Sequence, residues 1–319
     1  MRWSAVLCGF LNRVLCHALA PPSPTYSAGR RVHLPPVPHA ILRPDASKPR
    51  TIVIGDVHGC LDELKALLSE CKYDAKTTRV VLVGDLVNKG PKSAECVRYV
   101  RNSGFACVRG NHDDVALFAW ERRTAERMDG GSALSSQQDD KYAYVDAFDA
   151  ADVAFLRELP HTLRLPEFGA LVVHAGLVPG VALDAQEPAA MITIRNLLPQ
   201  EGADCVPPQT EENEEAPKPA APGRRWSEKA KAGVAWAPEW RPDAEALEGV
   251  SHIIFGHDAR RGLQLAPYAT GLDTGACYGN RLSAIILDRA RAAPAADGEL
   301  LDRRIVSVPS HRVYSKPAG

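Results

Sequence analysis

Twice within its first hundred residues, the chain places an acidic residue just after a short apolar run. Residues 51–54 lead into Asp56 within TIVIGDVHGC, and residues 80–83 lead into Asp85 within RVVLVGDLVNKG. Short runs rich in β-branched residues indicate buried strands. A carboxylate at the end of a buried strand is costly when unpaired, so each aspartate requires a compensating charge nearby.

The same strand pattern recurs along the chain. Further apolar runs lie at residues 106–108, 170–176, 252–257 and 281–288, and apolar residues at helical spacing follow the first two strands in LDELKALLSECK and SAECVRYVRNSG. Strands that alternate with helices predict βαβ units and an α/β fold. Such sheets place their ligand sites at the carboxyl ends of the strands.

Polar residues with metal-binding side chains follow most of these runs. They are Asp56, His58, Asp85, Asn111, His112, His174 and His257. A set of carboxylates, imidazoles and a carboxamide suits Mn, Fe or Zn, and two adjacent cations would neutralise the aspartates.

A glycine directly precedes four of these positions. Gly55, Gly84, Gly110 and Gly256 leave room for a sharp turn or for a substrate; an ordinary turn glycine is the alternative for any one of them, but it does not explain why a ligand-type residue follows each.

The composition limits the other classes of function. A formal net charge of -1 does not predict a strongly polyanion-seeking protein, so any affinity for phosphate must be local. The cysteines are scattered without a CxxC pair, which favours reduced, buried thiols over a zinc or redox site. GDLVNKGPKS is not a P-loop, because Lys89 is followed by Gly90 and Pro91, and the proline removes a backbone donor that such a loop needs.

The first 44 residues contain no Asp or Glu but several arginines. This composition predicts a mitochondrial or plastid targeting segment; a secretory signal and an uncleaved extension of a cytoplasmic protein are the alternatives. The chain has no uninterrupted apolar run of about 18 residues, which predicts a soluble protein with no membrane association.

The expected organisation is a single catalytic domain with extensions. Residues 1–48 form the N-terminal targeting or disordered extension, 49–310 the catalytic domain and 311–319 a C-terminal tail. Residues 201–222 are acidic and rich in proline, which predicts a disordered insertion, and residues 124–141 are predicted to form a surface loop.

GDVHG, GDLVNKG, GNHD, VHAG and FGH occur in the order found in metallophosphoesterases, also called calcineurin-like phosphoesterases, and cover roughly residues 51–290. GDLVNKGPKS, TIRNLLP, GHDARRGLQ and TGLDTGACYGN resemble the ApaH-like phosphatases most, in the branch that contains the phosphoprotein phosphatases and diadenosine-tetraphosphate hydrolase. The resemblance implies a β-sandwich of two mixed sheets flanked by helices.

The resemblance also implies a dinuclear centre of Mn, Fe or Zn. Its first cation would be held by Asp56, His58 and Asp85, and its second by Asp85, Asn111, His174 and His257. Asp85 would bridge the two cations, and water would be the nucleophile.

His112 matches the general acid of the family. Phosphoprotein phosphatases pair this histidine with an aspartate, where this chain has Asn88, and they carry an arginine where this chain has Lys89. An amide adds no negative charge, so we expect it to stabilise protonated His112 less than a carboxylate does. Other expected substrate contacts are Arg109, Arg195 and Tyr278.

These expectations describe a metal-dependent phosphoric-ester or anhydride hydrolase. The expected substrates are dinucleoside polyphosphates, nucleotide-capped RNA 5′ ends or polyphosphate. A serine/threonine protein phosphatase is the first alternative, disfavoured by Asn88 and Lys89. A catalytically silent binding protein is the second, disfavoured by the complete ligand set. The oligomeric state is left open.

Overall fold

The computed structural model describes residues 25–27, 30–128, 140–199, 224–289 and 304–317. Its strands are β1 (Thr25–Ser27), β2 (Arg30–Val32), β3 (His39–Ile41), β4 (Arg50–Ile54), β5 (Thr78–Leu82), β6 (Ala106–Cys107), β7 (Thr162–Leu165), β8 (Ala170–Val173), β9 (Asn196–Leu197), β10 (Trp226–Ser227), β11 (Val234–Ala235), β12 (His252–Phe255), β13 (Gln264–Ala266), β14 (Ala269–Gly271), β15 (Arg281–Asp288) and β16 (Arg304–Pro309). Its α-helices are α1 (Leu61–Glu70), α2 (Ser93–Asn102), α3 (Asn111–Met128), α4 (Ala150–Glu158), α5 (Pro188–Thr193) and α6 (Trp236–Glu239). Short 3-10 helices cover Asp140–Ala147, Pro166–Phe168, Leu183–Ala185 and Ala276–Tyr278. None of the helices in these ranges has the length and apolar character of a membrane span.

Two mixed sheets form the body of the protein. The first has the order β16-β15-β4-β5-β6, in which β4, β5 and β6 are parallel and β15 is antiparallel to β4. The second has the order β13-β14-β12-β8-β7-β3, in which β14, β12 and β8 are parallel and β7 is antiparallel to β8. Two smaller sheets, β10-β9-β11 and β1-β2, lie outside this pair.

Successive side chains of a strand point to opposite faces of its sheet, so each sheet contributes to two separate layers of packed side chains. Val53 and Val81 of the first sheet pack with Val172 and Ile254 of the second, and together they fill the space between the sheets. Ile52 and its neighbours on the other face pack under α1, α2, α3 and α4. Helices α5 and α6 cover the outer face of the second sheet. The expected sandwich of two mixed sheets flanked by helices is confirmed.

The folded body extends beyond the domain bounds expected from the sequence. Strand β3 pairs with β7, so the second sheet includes residues before position 49. Residues 311–317 lie against α1, where the backbone N–H of His311 and the hydroxyl of Tyr314 both donate to Glu63. Helix α3 continues to Met128, so the first part of the surface loop expected at 124–141 is helical instead. The helix continues because residues 111–128 contain no glycine or proline to end it.

Several expectations fall on parts of the chain outside the described residues. These are the part of the expected targeting extension (1–48) before residue 25, the part of the expected surface loop at 129–139 and the insertion at 201–222, and all three stay predictions. Within the described ranges, five cysteines are free and buried: Cys60, Cys71, Cys96, Cys107 and Cys277. Burial in apolar surroundings raises the pKa of the Cys71 thiol to about 11, as expected for an inert core thiol.

Candidate metal centre

The polar residues expected at the site come together at the carboxyl ends of the parallel strands. Strands β4, β5 and β6 of the first sheet lead into Asp56, Asp85 and Asn111. Strand β8 of the second sheet leads directly into His174, and β12 leads through Gly256 into His257. Because the two sheets are stacked, these ends meet at one edge of the sandwich.

Left-handed backbone is concentrated at these strand ends. Six non-glycine residues in the described part of the chain have a positive φ, and five of them belong to the expected site: His58 (47°), Asp85 (53°), Asn88 (72°), Lys89 (67°) and His257 (70°). The left-handed region costs such residues on the order of 1–3 kcal/mol each. Strain of this kind persists where surrounding structure holds it and is enriched at functional sites.

Asp85 lies at the centre of the cluster. His58 and His112 form one group of possible ligands with Asp85, and Asp56 and His174 form another, with the ligand atoms of each group within 4.8 Å of one another. Nε2 of His58 is 3.4 Å from Oδ2 of Asp85, and Nε2 of His174 is 3.5 Å from Oδ1. The two oxygens of Asp85 therefore face different sides of the cluster.

Asn111 and His257 complete the second side. Oδ1 of Asn111 is 3.0 Å from Nε2 of His174 and 3.0 Å from Nδ1 of His257. The backbone N–H of His257 donates to both oxygens of Asp56 at 3.1 Å. The structure thus brings together all six residues expected as metal ligands.

The charge of the cluster fits bound cations. Burial raises the pKa of Asp56 well above its usual range, and the nearby carboxylates of Asp273 and Asp85 raise it further. Burial lowers the pKa of His174 to about 4, so this imidazole is a neutral donor at pH 7. In the described part of the chain, Nε2 of His257 is buried without a hydrogen-bond partner. Crowded carboxylates, neutral imidazoles and an orphaned nitrogen are the donor set that a borderline divalent cation satisfies.

Two glycines permit this crowding. A Cβ added at Gly110 would collide with Oδ1 of Asp85, and a Cβ at Gly256 would collide with Oδ1 of Asp56. A side chain at Gly110 or Gly256 would therefore displace a carboxylate of the cluster, so only glycine fits at these two positions.

Asp113 holds the backbone around Asp85. Its carboxylate accepts from the backbone N–H groups of Asp85 at 2.8 Å, Leu86 at 2.9 Å and Gly110 at 2.9 Å. Burial, and then the charge of Asp85, raise the pKa of Asp113 to about 7. Asp113 was not expected from the sequence, because it lies inside α3 and not in the turn that follows a strand.

Asn88 contacts His112, as expected from the sequence. Oδ1 of Asn88 accepts from the backbone N–H of Lys89 at 2.7 Å, which fixes the orientation of the amide. Its Nδ2 consequently faces Nδ1 of His112 at 2.9 Å. Since Nδ2 carries only donor hydrogens, Nδ1 of His112 accepts and the ring proton lies on Nε2.

Lys89 extends over the first side of the centre. Its Nζ is 2.8 Å from Nε2 of His58 and 5.1 Å from the centre of the Tyr278 ring. Burial lowers the pKa of Lys89, but Asp85, Cys277 and Tyr278 together outweigh this and raise it above the ordinary value. The ammonium is therefore charged and lies beside the proposed first cation site.

A cleft of about 400 Å³ opens onto the cluster. The residues expected from the sequence that line it are Asp85, Lys89, Asn111, His112, Arg195, His257 and Tyr278. Arg195 donates to the backbone carbonyls of Glu228 at 3.0 Å and His257 at 3.2 Å, and its Nε is 3.6 Å from Asp258. These contacts aim a fixed positive charge at the cleft.

The structure corrects the role that the sequence suggested for Arg109. The sequence suggested a phosphate contact, but the side chain is fully buried and away from the cleft. Its guanidinium donates to the backbone carbonyls of His33 and Arg157 and lies 3.6 Å from Asp114. A guanidinium committed to these internal partners supports the packing of the N-terminal segment and does not reach substrate.

Asp273 is a further buried carboxylate of the site that the sequence reading missed. It follows β14 just as Asp56 and Asp85 follow their strands, and it lines the cleft. Burial raises its pKa, and its Oδ1 accepts from the backbone N–H of Gly275 at 3.1 Å. A search for polar residues just after a strand would have identified Asp273 in TGLDTG if the short strand β14 before it had been recognised.

A two-sheet sandwich with a cluster of carboxylates, imidazoles and a carboxamide at its strand ends defines a metal-dependent phosphoesterase. The chain belongs to the calcineurin-like phosphoesterase family, whose model matches residues 49–261.

Among its relatives is the symmetrical bis(5'-nucleosyl)-tetraphosphatase of Aromatoleum aromaticum, 30% identical over 278 residues that cover 78% of this chain and 97% of the relative. The enzyme of the same name from Dechloromonas aromatica is 30% identical over 277 residues, which cover 75% and 92% of the two chains. A solved structure described as a candidate diadenosine tetraphosphatase is 30% identical, covers 86% of this chain and 98% of its own, and superposes with a TM-score of 0.62.

A serine/threonine phosphatase structure from Saccharomyces cerevisiae shares the fold. It is 15% identical, with a TM-score of 0.51 over 86% of this chain and 84% of its own. At this identity the similarity concerns the fold alone.

Proposed function

We propose that the protein hydrolyses phosphoanhydride bonds of dinucleoside polyphosphates at a centre of two divalent cations. The clustering of donors on both oxygens of Asp85 supports two cations that share this carboxylate. Asp56 and His58 would complete the first site. Asn111, His174 and His257 would complete the second, with manganese, iron or zinc as the metals that this donor set accepts.

When bound, the cations lower the pKa of a water nucleophile and neutralise charge on the phosphate under attack. The chain itself supplies the remaining positive charge through Lys89 and Arg195, which both line the cleft. Lys89 offers a compact ammonium, whereas Arg195 offers a planar guanidinium fixed by carbonyls of two other segments.

The contact between Asn88 and His112 is the observation that carries the choice of bond. An amide donor at Nδ1 opposes a second proton on the imidazole, so His112 is a weak source of protons for a leaving oxygen. An alkoxide that leaves from a phosphoserine needs that proton. A phosphate oxygen that leaves from an anhydride is far less basic and departs without it.

The named activity of the full-length relatives supports a particular substrate. Both are symmetrical bis(5'-nucleosyl)-tetraphosphatases. We therefore propose that water attacks one of the two central phosphorus atoms of a dinucleoside tetraphosphate. The central P–O bond breaks, and two nucleoside diphosphates leave.

A substrate panel tests the proposal. The full chain is loaded in turn with Mn, Zn or Co and assayed on diadenosine tetraphosphate, tripolyphosphate, capped RNA, para-nitrophenyl phosphate and a phosphoserine peptide. We expect ADP as the sole nucleotide product from diadenosine tetraphosphate, and the highest kcat/KM on an anhydride. Metal analysis of the loaded protein by mass spectrometry checks for two cations per chain.

Other outcomes lead to other assignments. A preference for capped RNA or polyphosphate retains the anhydride chemistry and changes the substrate. A preference for the phosphopeptide supports the protein phosphatase alternative and overturns the proposal. No hydrolysis of any substrate, with metal bound, supports a binding protein.

A further inference from the structure

The C-terminal segment 310–317 contributes to the wall of the cleft. Pro317 lines the cleft together with Tyr278 and Asn280. The backbone N–H of Ser310 donates to the carbonyl of Asn280 at 2.9 Å, so the segment and this part of the wall are joined directly.

The segment also holds the 3-10 helix that carries Tyr278. The backbone N–H groups of Tyr314 and Ser315 both donate to the carbonyl of Cys277 at 3.0 Å. A Cβ added at Gly279 would collide with Val313, so the two segments are in close contact on both sides of Tyr278.

One buried carboxylate fixes the segment to the core. Oε1 of Glu63 accepts from the backbone N–H of His311 at 2.9 Å and from the hydroxyl of Tyr314 at 2.8 Å. The hydroxyl of Ser310 lies at 3.4 Å from the same oxygen. Glu63 lies in the first turn of α1, directly after the loop that carries Asp56 and His58, so the segment is tied to the metal-site scaffold.

The wall differs chemically from the rest of the cleft. Arg195, Glu228 and Arg260 on the other side are charged residues, and the guanidinium of Arg195 is held there by donating to the backbone carbonyl of Glu228. Tyr278, Asn280 and Pro317 instead contribute an aromatic ring, a carboxamide and a proline ring. Flat apolar surface beside a carboxamide suits a nucleobase, which stacks through its faces and hydrogen-bonds through its edge.

We propose that Tyr278, Asn280 and Pro317 form a nucleoside subsite, and that Glu63 and Tyr314 position it. The inference rests on the proposed function in that it assigns the nucleoside part of the same substrate. It adds a recognition role for residues 310–317, which lie after the family match ends.

Binding without turnover tests the subsite. The metal-loaded full chain is titrated calorimetrically with ADP and with pyrophosphate, which share a diphosphate but differ in the nucleoside. We expect ADP to bind at least about tenfold more tightly, and this ratio to fall at least about fivefold in Pro317→Gly and in Tyr314→Phe. Ser69→Ala is the control, because it also removes a hydroxyl but lies at an exposed position of α1 outside the cleft, and its ratio should stay as in the wild type.

Kinetics separate positioning from a general loss of structure. In both variants we expect KM for diadenosine tetraphosphate to rise while KM for tripolyphosphate and metal content stay within about twofold of the wild type. Should Tyr314→Phe fold poorly, Pro317→Gly alone decides, since Pro317 is exposed and outside the core. Equal affinities for ADP and pyrophosphate in the wild type, or unchanged ratios in both variants, overturn the subsite.

The two proposals fail in different ways. A nucleoside preference that the variants reduce, in a protein that hydrolyses no anhydride, retains the subsite and rejects the proposed function. Hydrolysis of diadenosine tetraphosphate by a protein that binds ADP no more tightly than pyrophosphate retains the proposed function and rejects the subsite.

Discussion

The carboxamide of Asn88 donates to Nδ1 of His112, and the backbone N–H of Lys89 fixes the direction of that donation. The contact selects the tautomer of the neutral His112 ring, with the proton on Nε2. A carboxylate at position 88 would instead accept from Nδ1–H and stabilise the doubly protonated ring. An amide nitrogen or a carboxylate oxygen at position 88 therefore decides whether His112 is a weak or a strong general acid.

Replacing the amide by a carboxylate tests this relationship. In Asn88→Asp we expect the limb of the pH–rate profile that reports loss of the imidazolium to move upward by roughly one pH unit or more. Turnover of the phosphoserine peptide should gain relative to diadenosine tetraphosphate, with metal content unchanged. Asn102→Asp makes the same change at an exposed helix end and should leave the profile alone. An identical profile in both variants would show that position 88 does not tune His112.

The shared carboxylate is expected to be essential for metal binding. In Asp85→Asn we expect metal affinity and turnover to fall at least about 100-fold, because even outer partners of a metal site cost 10–100-fold. Circular dichroism should show the fold retained. Asp184→Asn, at an exposed position, serves as the control. Near-full activity in Asp85→Asn is incompatible with the dinuclear centre.

We expect position 256 to tolerate no residue larger than glycine without loss of metal. A Cβ there overlaps Oδ1 of Asp56, so Gly256→Ala should displace this ligand and lower bound metal per chain. Gly104→Ala is the comparison, since nothing lies within 4 Å of the added Cβ and only backbone strain of about 1–2 kcal/mol applies. Equal metal content in the two variants would contradict the steric role of Gly256.

Asp113 is expected to act through Asp85. Asp113→Asn replaces an acceptor oxygen by an amide that cannot satisfy all three backbone N–H groups, so unfolding should be easier by about 1–3 kcal/mol. Metal affinity should fall about 10–100-fold. Chemical denaturation and metal titration measure the two effects. Loss of stability with unchanged metal affinity would restrict Asp113 to a structural role.

His161 gives the stability an acid limb that is independent of the metal ligands. Burial, and then the charge of Arg109, lower the pKa of His161 to about 3 from 6.5. Below pH 6.5 the unfolded chain takes up a proton that the folded chain refuses, so stability falls as pH falls towards 3. The slope for one such group is about 1.4 kcal/mol per pH unit. In His161→Gln the difference from the wild type should shrink or reverse between pH 6.5 and 4, as measured by urea unfolding. A constant difference across that range would contradict it.

The clustering of the expected ligand residues was predictable from the sequence because it depends on a local pattern, a polar residue just after each strand. Asp56, Asp85 and His174 follow strands that the sequence marks clearly, and parallel strand ends converge whatever the loops do. Arg109 was misplaced because the partners that bury it, His33 and Arg157, lie far from it along the chain.

The pairing of β3 with β7 escaped prediction for the same reason. The few residues of β3 carry no distinct pattern, and β7 lies more than a hundred residues further along the chain. Residues 311–317 were expected to form a tail, but buried Glu63 gives them an anchor that composition does not reveal.

The left-handed backbone at His58, Asp85 and His257 has a consequence for the protein in a cell. Strain and crowded carboxylates lower the stability of the empty protein, and any cation that binds only the folded form restores it by mass action. Chains without metal then open more often and are exposed to proteases. We expect metal supply to set the half-life of this protein as well as its activity, so that a cell short of the cation loses the enzyme itself.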